Sequence, residues 1–550
     1  MLRSLLLLGV LSMAAAPPLS AQAPQLVRDF WPGEVVNGLL NHGRPMAFRL
    51  HGDDLLLFAN DGNGAAKLFR LNDLSGNVQE LAHVGGPAGY TTTNGGIITS
   101  GDNIYFFAQQ AGSTNHLLWC VRPGQAAEQL MTLPYSVLFG YVGIPLPGGR
   151  LLFPGHSIDH GYELWVTDGT PAGTQMVLDI HPGTGTPFGS PFPIFQGFDH
   201  NGKGYFLAND GTNGPQLWVS DGTAAGTQQF ATINPASATG AITLLWSRNT
   251  ERFVVTAHTG LIASDGSTAN TSLIHPGNYA MAHIPGLNHH VDANGWMYFS
   301  ALENSTWKLY RTLGTSSSTQ LVLEGQMPNQ GFPYMTELGG MLYVLTGDGN
   351  QNTMLARIDP VAQTLTPVKT FTSTQGINGV SNFYGFRNDG QHIYFMGRAD
   401  AHARQYWKSD GTEAGTVMVY EFMPTVVNGG PDAVDGNMIL FQNSFVFAAN
   451  DAGVGIELFA GEGVVGVEEA TGTTSPLHAW VDAWGRLRAV LPGNTLEAAC
   501  LLDATGRHVR EWRGRATDRL EMPLDGVSSG VHLLQVQAGG ARYVCRVLVP

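Results

Sequence analysis

Gln216-Leu-Trp-Val-Ser-Asp-Gly-Thr-Ala-Ala-Gly-Thr227 reads as a strand, a tight turn and the start of a second strand. Leu217, Trp218 and Val219 favour a pleated, half-buried surface. Asp221 suits a turn because its carboxylate bonds its own backbone, Gly222 because it accepts positive φ, and Thr223 leads on. Near copies stand at Glu163-Leu-Trp-Val-Thr-Asp-Gly-Thr-Pro-Ala-Gly-Thr174, with Asp168, Gly169 and Thr170, and at Gln405-Tyr-Trp-Lys-Ser-Asp-Gly-Thr-Glu-Ala-Gly-Thr416, with Asp410, Gly411 and Thr412. A worn copy from Leu261 to Thr271 keeps Ser264-Asp265-Gly266. Another, from Lys308 to Thr319, has Leu313 in place of the Asp.

With the Trp position as a ruler, the series is Phe69, Trp119, Trp165, Trp218, Ile262, Tyr310, Ala356, Trp407 and Phe459, a repeat of about 49 residues. Before each ruler residue lies an apolar-aromatic run, among them Leu55–Phe58, Ile104–Phe107, Tyr205–Leu207 and Phe445–Phe447. A turn rich in Gly, Asn and Asp separates the run from the ruler strand, and a further short strand follows the Asp-Gly-Thr. One more strand lies upstream. About four short strands per unit, with almost no helical period, is the arithmetic of a propeller blade. One four-stranded sheet cannot cover both its faces, so blades stack around an axis with the ruler residues between them. The expectation is an all-β chain with a large β-propeller of about 8–9 four-stranded blades. A seven-bladed ring with extra units and a solenoid are the alternatives.

Composition agrees. Of 550 residues, 43% are hydrophobic, enough for a large core, and only 13% are charged, whereas glycine numbers 71. Few charges and many glycines disfavour exposed helices and favour short strands with tight turns. A net charge of −15 leaves no electrostatic footprint for nucleic acid. Arg3, the apolar run Leu5–Ala16 and the small residues Ser20 and Ala21 form a secretory signal peptide at 1–21. No later run is long enough to span a bilayer. Cys120 stands alone, and a Cys500–Cys545 disulfide is open in an oxidising compartment.

The expected propeller occupies 22–460. A linker rich in Gly, Val, Glu and Thr follows at 461–476. Seven short alternating strands from Ala479 to Val549 then form a small Ig-like β-sandwich within 477–550.

The repeat copies resemble the ELWxxDGTxxGT repeat of secreted and surface proteins of Bacteroidota-like bacteria, a family known by its pattern more than by an activity. The tail is similar to the type A C-terminal sorting domain of the type IX secretion system. Asp503, Gly506, Arg507, Gly530, Val531, Arg542 and Tyr543 match its pattern, and His532 replaces the usual Tyr. This second resemblance implies export through the periplasm to the outer-membrane surface or medium, with the secretion machinery as partner and the tail removed.

The functional expectation is a non-catalytic propeller that binds an extracellular glycan or protein. The rival is a secreted hydrolase of glycans with carboxylates converging on the axis. No nucleophile elbow, zinc-protease, P-loop or dinucleotide motif is present. His156, Asp159, His160 and Glu163 form the best ligand-like cluster, followed by His289, His290 and Asp292. Both read as turn residues rather than metal ligands. No cofactor is expected. The alternative is calcium at Asp61, Asp210 and Asp348, yet one carboxylate per turn is thin for a cation wanting six to eight oxygens.

Overall fold

A computed structural model describes residues 24–32, 34–35, 39–40, 42–62, 66–83, 96–109, 115–133, 143–188, 197–233, 252–257, 260–276, 290–293, 296–303, 306–324, 334–347, 352–371, 383–398, 404–420, 422, 434–442, 444–451, 454–462, 478–481, 486–491, 495–502, 508–516, 519–524, 527, 530–538 and 541–549. Among these the fold is all-β and propeller-like, with many four-stranded antiparallel sheets and no helix. The fourth sheet is typical: Gly197–His200, Lys203–Asn209, Pro215–Ser220 and Gln228–Ala231 pair in sequence order. Each predicted apolar run lies in a strand paired with its ruler strand, and each ruler residue faces a partner in that run: Phe206 for Trp218, Phe395 for Trp407, Phe447 for Phe459.

Eight sheets span 46–83, 97–133, 144–178, 197–231, 253–276, 290–324, 334–371 and 383–420; three strands of the fifth are described. The ninth is built differently. Its Val434–Phe441, Ser444–Asp451 and Gly455–Glu462 are completed by Gln25–Arg28 from the other end of the chain. The unit with no Asp-Gly-Thr after Phe459 thus takes its fourth strand from before the first repeat. Its third strand also runs to Glu462, past the expected boundary at 460.

The core is divided among the sheet interfaces. Leu56, Phe58, Phe106 and Val121 join the first sheet to the second, and equivalent clusters join every following pair. A further cluster, with Leu55, Leu57, Phe69, Val446 and Leu458, joins the ninth sheet to the first. Every ruler residue packs toward the preceding sheet. Trp218, Tyr310, Trp407 and Phe459 are buried there, while Trp119 and Trp165 are half-buried.

A second regularity was not anticipated. In every sheet the ladder slips at the step into the ruler residue, which leaves one extra residue on the fourth strand. The extra residues are Leu81, Leu130, Val177, Phe230, Ile274, Val322, Val368, Val419 and, on the N-terminal strand, Val27. All are apolar and pack toward the following sheet. A bulge bends its strand and sharpens the twist, so the outer strand turns its side chain onto the next sheet.

The tail folds as a three-stranded sheet of His478–Val481, Arg486–Val490 and Arg519–Pro523 and a four-stranded sheet of Leu496–Leu502, His508–Ala516, Gly530–Ala538 and Ala541–Val549. Leu487, Leu501, Leu520, Leu534 and Val547 share one core between them. Gly530–Ala538 lies between the strands of Cys500 and Cys545, Cys500 pairing with Gln535 and Leu534 with Cys545. Two strand spacings are about 9–10 Å, beyond the Cα separation a disulfide bridges, and Cys500 forms none. The strand order thus argues against the Cys500–Cys545 disulfide that the sequence leaves open.

Candidate functional site

The repeat's polar residues are bonded to its own backbone. Asp168 Oδ1 accepts from the Thr170 amide at 2.9 Å and the Thr170 hydroxyl at 2.7 Å. Thr170 Oγ1 accepts from the Gly173 amide at 3.0 Å, and the Thr174 hydroxyl donates to the Thr170 carbonyl at 2.7 Å. Asp221 with Thr223 and Asp410 with Thr412 repeat the arrangement. Gly169, Gly222 and Gly411 hold φ of 92°, 87° and 88°, a region that disfavours any side chain. In the worn unit the oxygen of the missing Asp is replaced by Ser318 Oγ, which accepts from the Thr315 amide at 3.2 Å and hydroxyl at 2.8 Å.

Two positions before the ruler, the repeat carries a buried polar side chain. Glu163 accepts the amides of Ile180 at 2.7 Å and His181 at 3.2 Å; burial, opposed by those bonds, pushes its pKa up to about 8. Gln216 accepts the Ile233 amide at 2.8 Å and Gln405 that of Phe422 at 2.7 Å. Glu457 accepts Phe30 at 2.7 Å and Gly43 at 2.6 Å, and burial pushes it up to about 7. In these four sheets the group anchors the chain as it leaves the fourth strand.

The ligand-like clusters do not assemble. Glu163 is occupied as above, His160 Nδ1 lies 2.8 Å from Asp179, and His156 packs edge-on against Tyr162. Asp61 pairs with Lys67 at 2.7 Å, and Asp210 accepts the Thr212 and Asn213 amides. His289, Asp348, Asp503, Gly506 and Arg507 lie outside the described residues, as do 1–21. Gly530 and Val531 pair with Val549 and Leu548, and Arg542 and Tyr543 with Gln537 and Val536. Among the described residues no group of three or more His, Cys, Asp and Glu is placed to hold a metal ion, and no helix is long and apolar enough to cross a membrane.

A further set of charged residues stands on the first strands. In the eight sheets whose first strand is described, that strand is an edge, and first strands of consecutive sheets among these neighbour one another, the ninth meeting the first. Counting rungs from the residue paired with the ruler, Asp199, Asp292 and Glu337 occupy the same rung of the fourth, sixth and seventh sheets, opposite Gly204, Met297 and Leu342. All three are half-buried, and Glu337 Oε1 accepts the Gly340 amide at 2.6 Å. One rung away stand Arg49 of the first sheet and Arg387 of the eighth, opposite Leu56 and Tyr394, both exposed. Sequence reading singled out Asp292, beside His290, and missed the others because nothing in a short edge strand says which way its side chains turn.

No protein-family model matches the chain, and no curated protein does. Among solved structures it is similar to the computationally designed Ika8 protein, with 10% identity over 68% of this chain and 97% of that one and a TM-score of 0.37. It is similar to a prolyl endopeptidase, with 10% identity over 74% of this chain and 54% of that one and a TM-score of 0.39, and so spans about half the length of that enzyme. It is similar to the extracellular domain of the putative one-component system BT4673 from B. thetaiotaomicron, with 10% identity over 92% and 80% and a TM-score of 0.25. Likeness at this level decides neither activity nor ligand.

Proposed function

We propose that this chain is an exported binding protein. In this reading the nine sheets are the blades of one closed propeller that binds a glycan or protein outside the cell. The Ig-like tail is a type IX sorting domain engaged by the secretion machinery, and residues 1–21 are the signal peptide. The Asp-Gly-Thr turns are structural. The observation that carries the binding reading is the division of polar groups. Those of the repeat are consumed in its own turns, while the converging first strands keep exposed and half-buried charges at their shared edge. Ligand sites favour such convergent polar groups on a rigid scaffold. A glycan array on the purified protein tests it: retention of one glycan class is expected, and retention of none, with no protein partner in crosslinking, overturns it.

The tail is tested separately. Deleting 477–550 is expected to leave a folded body held in the periplasm, and normal surface delivery of the truncation would refute the sorting role. A second reading, a glycan hydrolase, is favoured by one observation: Asp199, Asp292 and Glu337 share a rung. Paired carboxylates are the usual machinery of glycoside hydrolysis, and release of reducing sugar that is abolished in Asp199→Asn or Asp292→Asn is its test.

A further inference from the structure

Three first strands differ from the rest, and they are consecutive around the ring. Ladder slips interrupt the first strand of the eighth sheet between Tyr384 and Arg387, of the ninth between Val434 and Met438, and of the first between Met46 and Arg49. The described first strands of the second, third, fourth, sixth and seventh sheets pair without a slip. Inside the slip of the first sheet, Ala47 holds φ of 57°, an uncommon conformation for a residue with a Cβ.

The consequence shows on the rung that follows. In unslipped strands that rung carries buried Ile98, Ile144, Phe198 and Thr336 and half-buried Val291. In the slipped strands of the first and eighth sheets it carries exposed Arg49 and Arg387, and in that of the ninth half-buried Ile439. Arg387 Nη1 donates to the Phe386 carbonyl at 3.0 Å, and among the described residues its guanidinium has no carboxylate partner. An exposed guanidinium on a sheet edge is placed to take an anionic partner. Bulges beside functional sites re-aim side chains in this way.

We propose that Arg49 and Arg387, exposed on the slipped first strands on either side of the ninth sheet, bind the carboxylate of an acidic sugar. A guanidinium fork matches a carboxylate. The first strands are sheet edges whose outward N–H and C=O groups are unladdered; hydroxyl groups, which both donate and accept, satisfy such an edge. A chain of net charge −15 repels densely charged polymers at long range, so the fitting ligand is a short glycan with sparse carboxylates. This deepens the glycan-binding reading and rests on it.

The test is calorimetric titration of the full protein with a short galacturonate oligomer, the matching neutral galactose oligomer and a short glutamate peptide, at low and high salt. Galacturonate is expected to bind with salt-sensitive affinity, weakened about tenfold or more by Arg387→Gln or Arg49→Gln, in line with loss of a charged hydrogen bond. Arg387→Lys should recover part of it. Unchanged thermal melting of the exposed-site variants separates lost binding from lost fold. Equal binding of galacturonate by Arg387→Gln, or none by the wild type, overturns the proposal. Neutral-oligomer binding indifferent to both arginines overturns it while leaving the broader glycan reading standing. Tighter binding of the glutamate peptide than of galacturonate overturns the choice of a sugar.

Discussion

The carboxylate of Glu457 accepts the backbone N–H of Phe30 at 2.7 Å across a separation of 427 positions. Gln405 makes the same bond to Phe422 and Gln216 to Ile233, each across 17. Phe30 is therefore the ninth sheet's counterpart of Ile180, Ile233 and Phe422, and the chain ends meet by the rule that operates within each repeat. Removing Glu457 would strand the amides of Phe30 and Gly43 in a buried place. Glu457→Ala is expected to cost about 2–5 kcal/mol, and Glu457→Gln clearly less, because glutamine fills this role in two other sheets. Urea unfolding of both variants checks the order, and an Ala variant no worse than Gln would contradict the closure.

Stability should fall as pH rises through neutrality. Glu163 and Glu457 are pushed up to about 8 and about 7, burial being the largest cause. An unfolded glutamate releases its proton near pH 4.5, so between there and about pH 7–8 the folded protein binds more protons than the unfolded one. Stability then declines with increasing pH. On the acid side the signs reverse. Asp210, Asp221 and Asp265 are held below the ordinary range, hydrogen bonds to the carboxylates outweighing burial, and their contribution is lost as pH falls through their folded values. The highest melting temperature is expected near pH 5, and the Glu163→Gln, Glu457→Gln double variant should flatten the decline above it. Calorimetric scans from pH 4 to 9 decide the matter, and an alkaline slope identical in the double variant would contradict it.

Ruler residues should differ in weight according to burial. Trp218 is buried among Leu164, Val166 and Phe206, between the third and fourth sheets. Trp218→Ala is expected to cost about 3–5 kcal/mol. Half-buried Trp119, stacked on Phe106, should cost less. Equal and small losses at both would mean that the sheets do not depend on this contact.

The legible part of the fold is the part that repeats. An aromatic run, a turn and a ruler residue recur because every interface needs the same three things, so nine units could be counted in the sequence, which left about 8–9 blades, a seven-bladed ring or a solenoid open. The bulge residues were legible too: in seven of eight units the apolar bulge residue stands twelve positions after the ruler, as Val177 follows Trp165 and Val419 follows Trp407. The N-terminal strand was harder, because no ruler residue precedes it. Its signal is the likeness of Val27-Arg-Asp-Phe-Trp-Pro-Gly33 to Val177-Leu-Asp-Ile-His-Pro-Gly183. Arg49 and Arg387 were not legible at all. One extra residue in an edge strand looks like a slightly longer strand, and only the ladder reveals which rung each arginine occupies.

The Asp-Gly-Thr turns set structure against calcium, and the two make opposite predictions. Each carboxylate uses Oδ1 to hold the amide and hydroxyl two residues on. A Cβ at Gly173, Gly226 or Gly415 would strike that same carboxylate, so the turn is closed tightly over it. Asparagine presents the same acceptor without charge, so Asp168→Asn, Asp221→Asn and Asp410→Asn should each be mild. The chain has already made a comparable exchange: where Leu313 replaces the Asp, Ser318 supplies a neutral oxygen, and Gly314 keeps φ of 84°. A turn that closes around a hydroxyl does not need a cation. Chelation should therefore leave the melting temperature unchanged. A drop of more than about 5 °C, the size expected for losing roughly 1–2 kcal/mol, would mean that these carboxylates hold calcium after all.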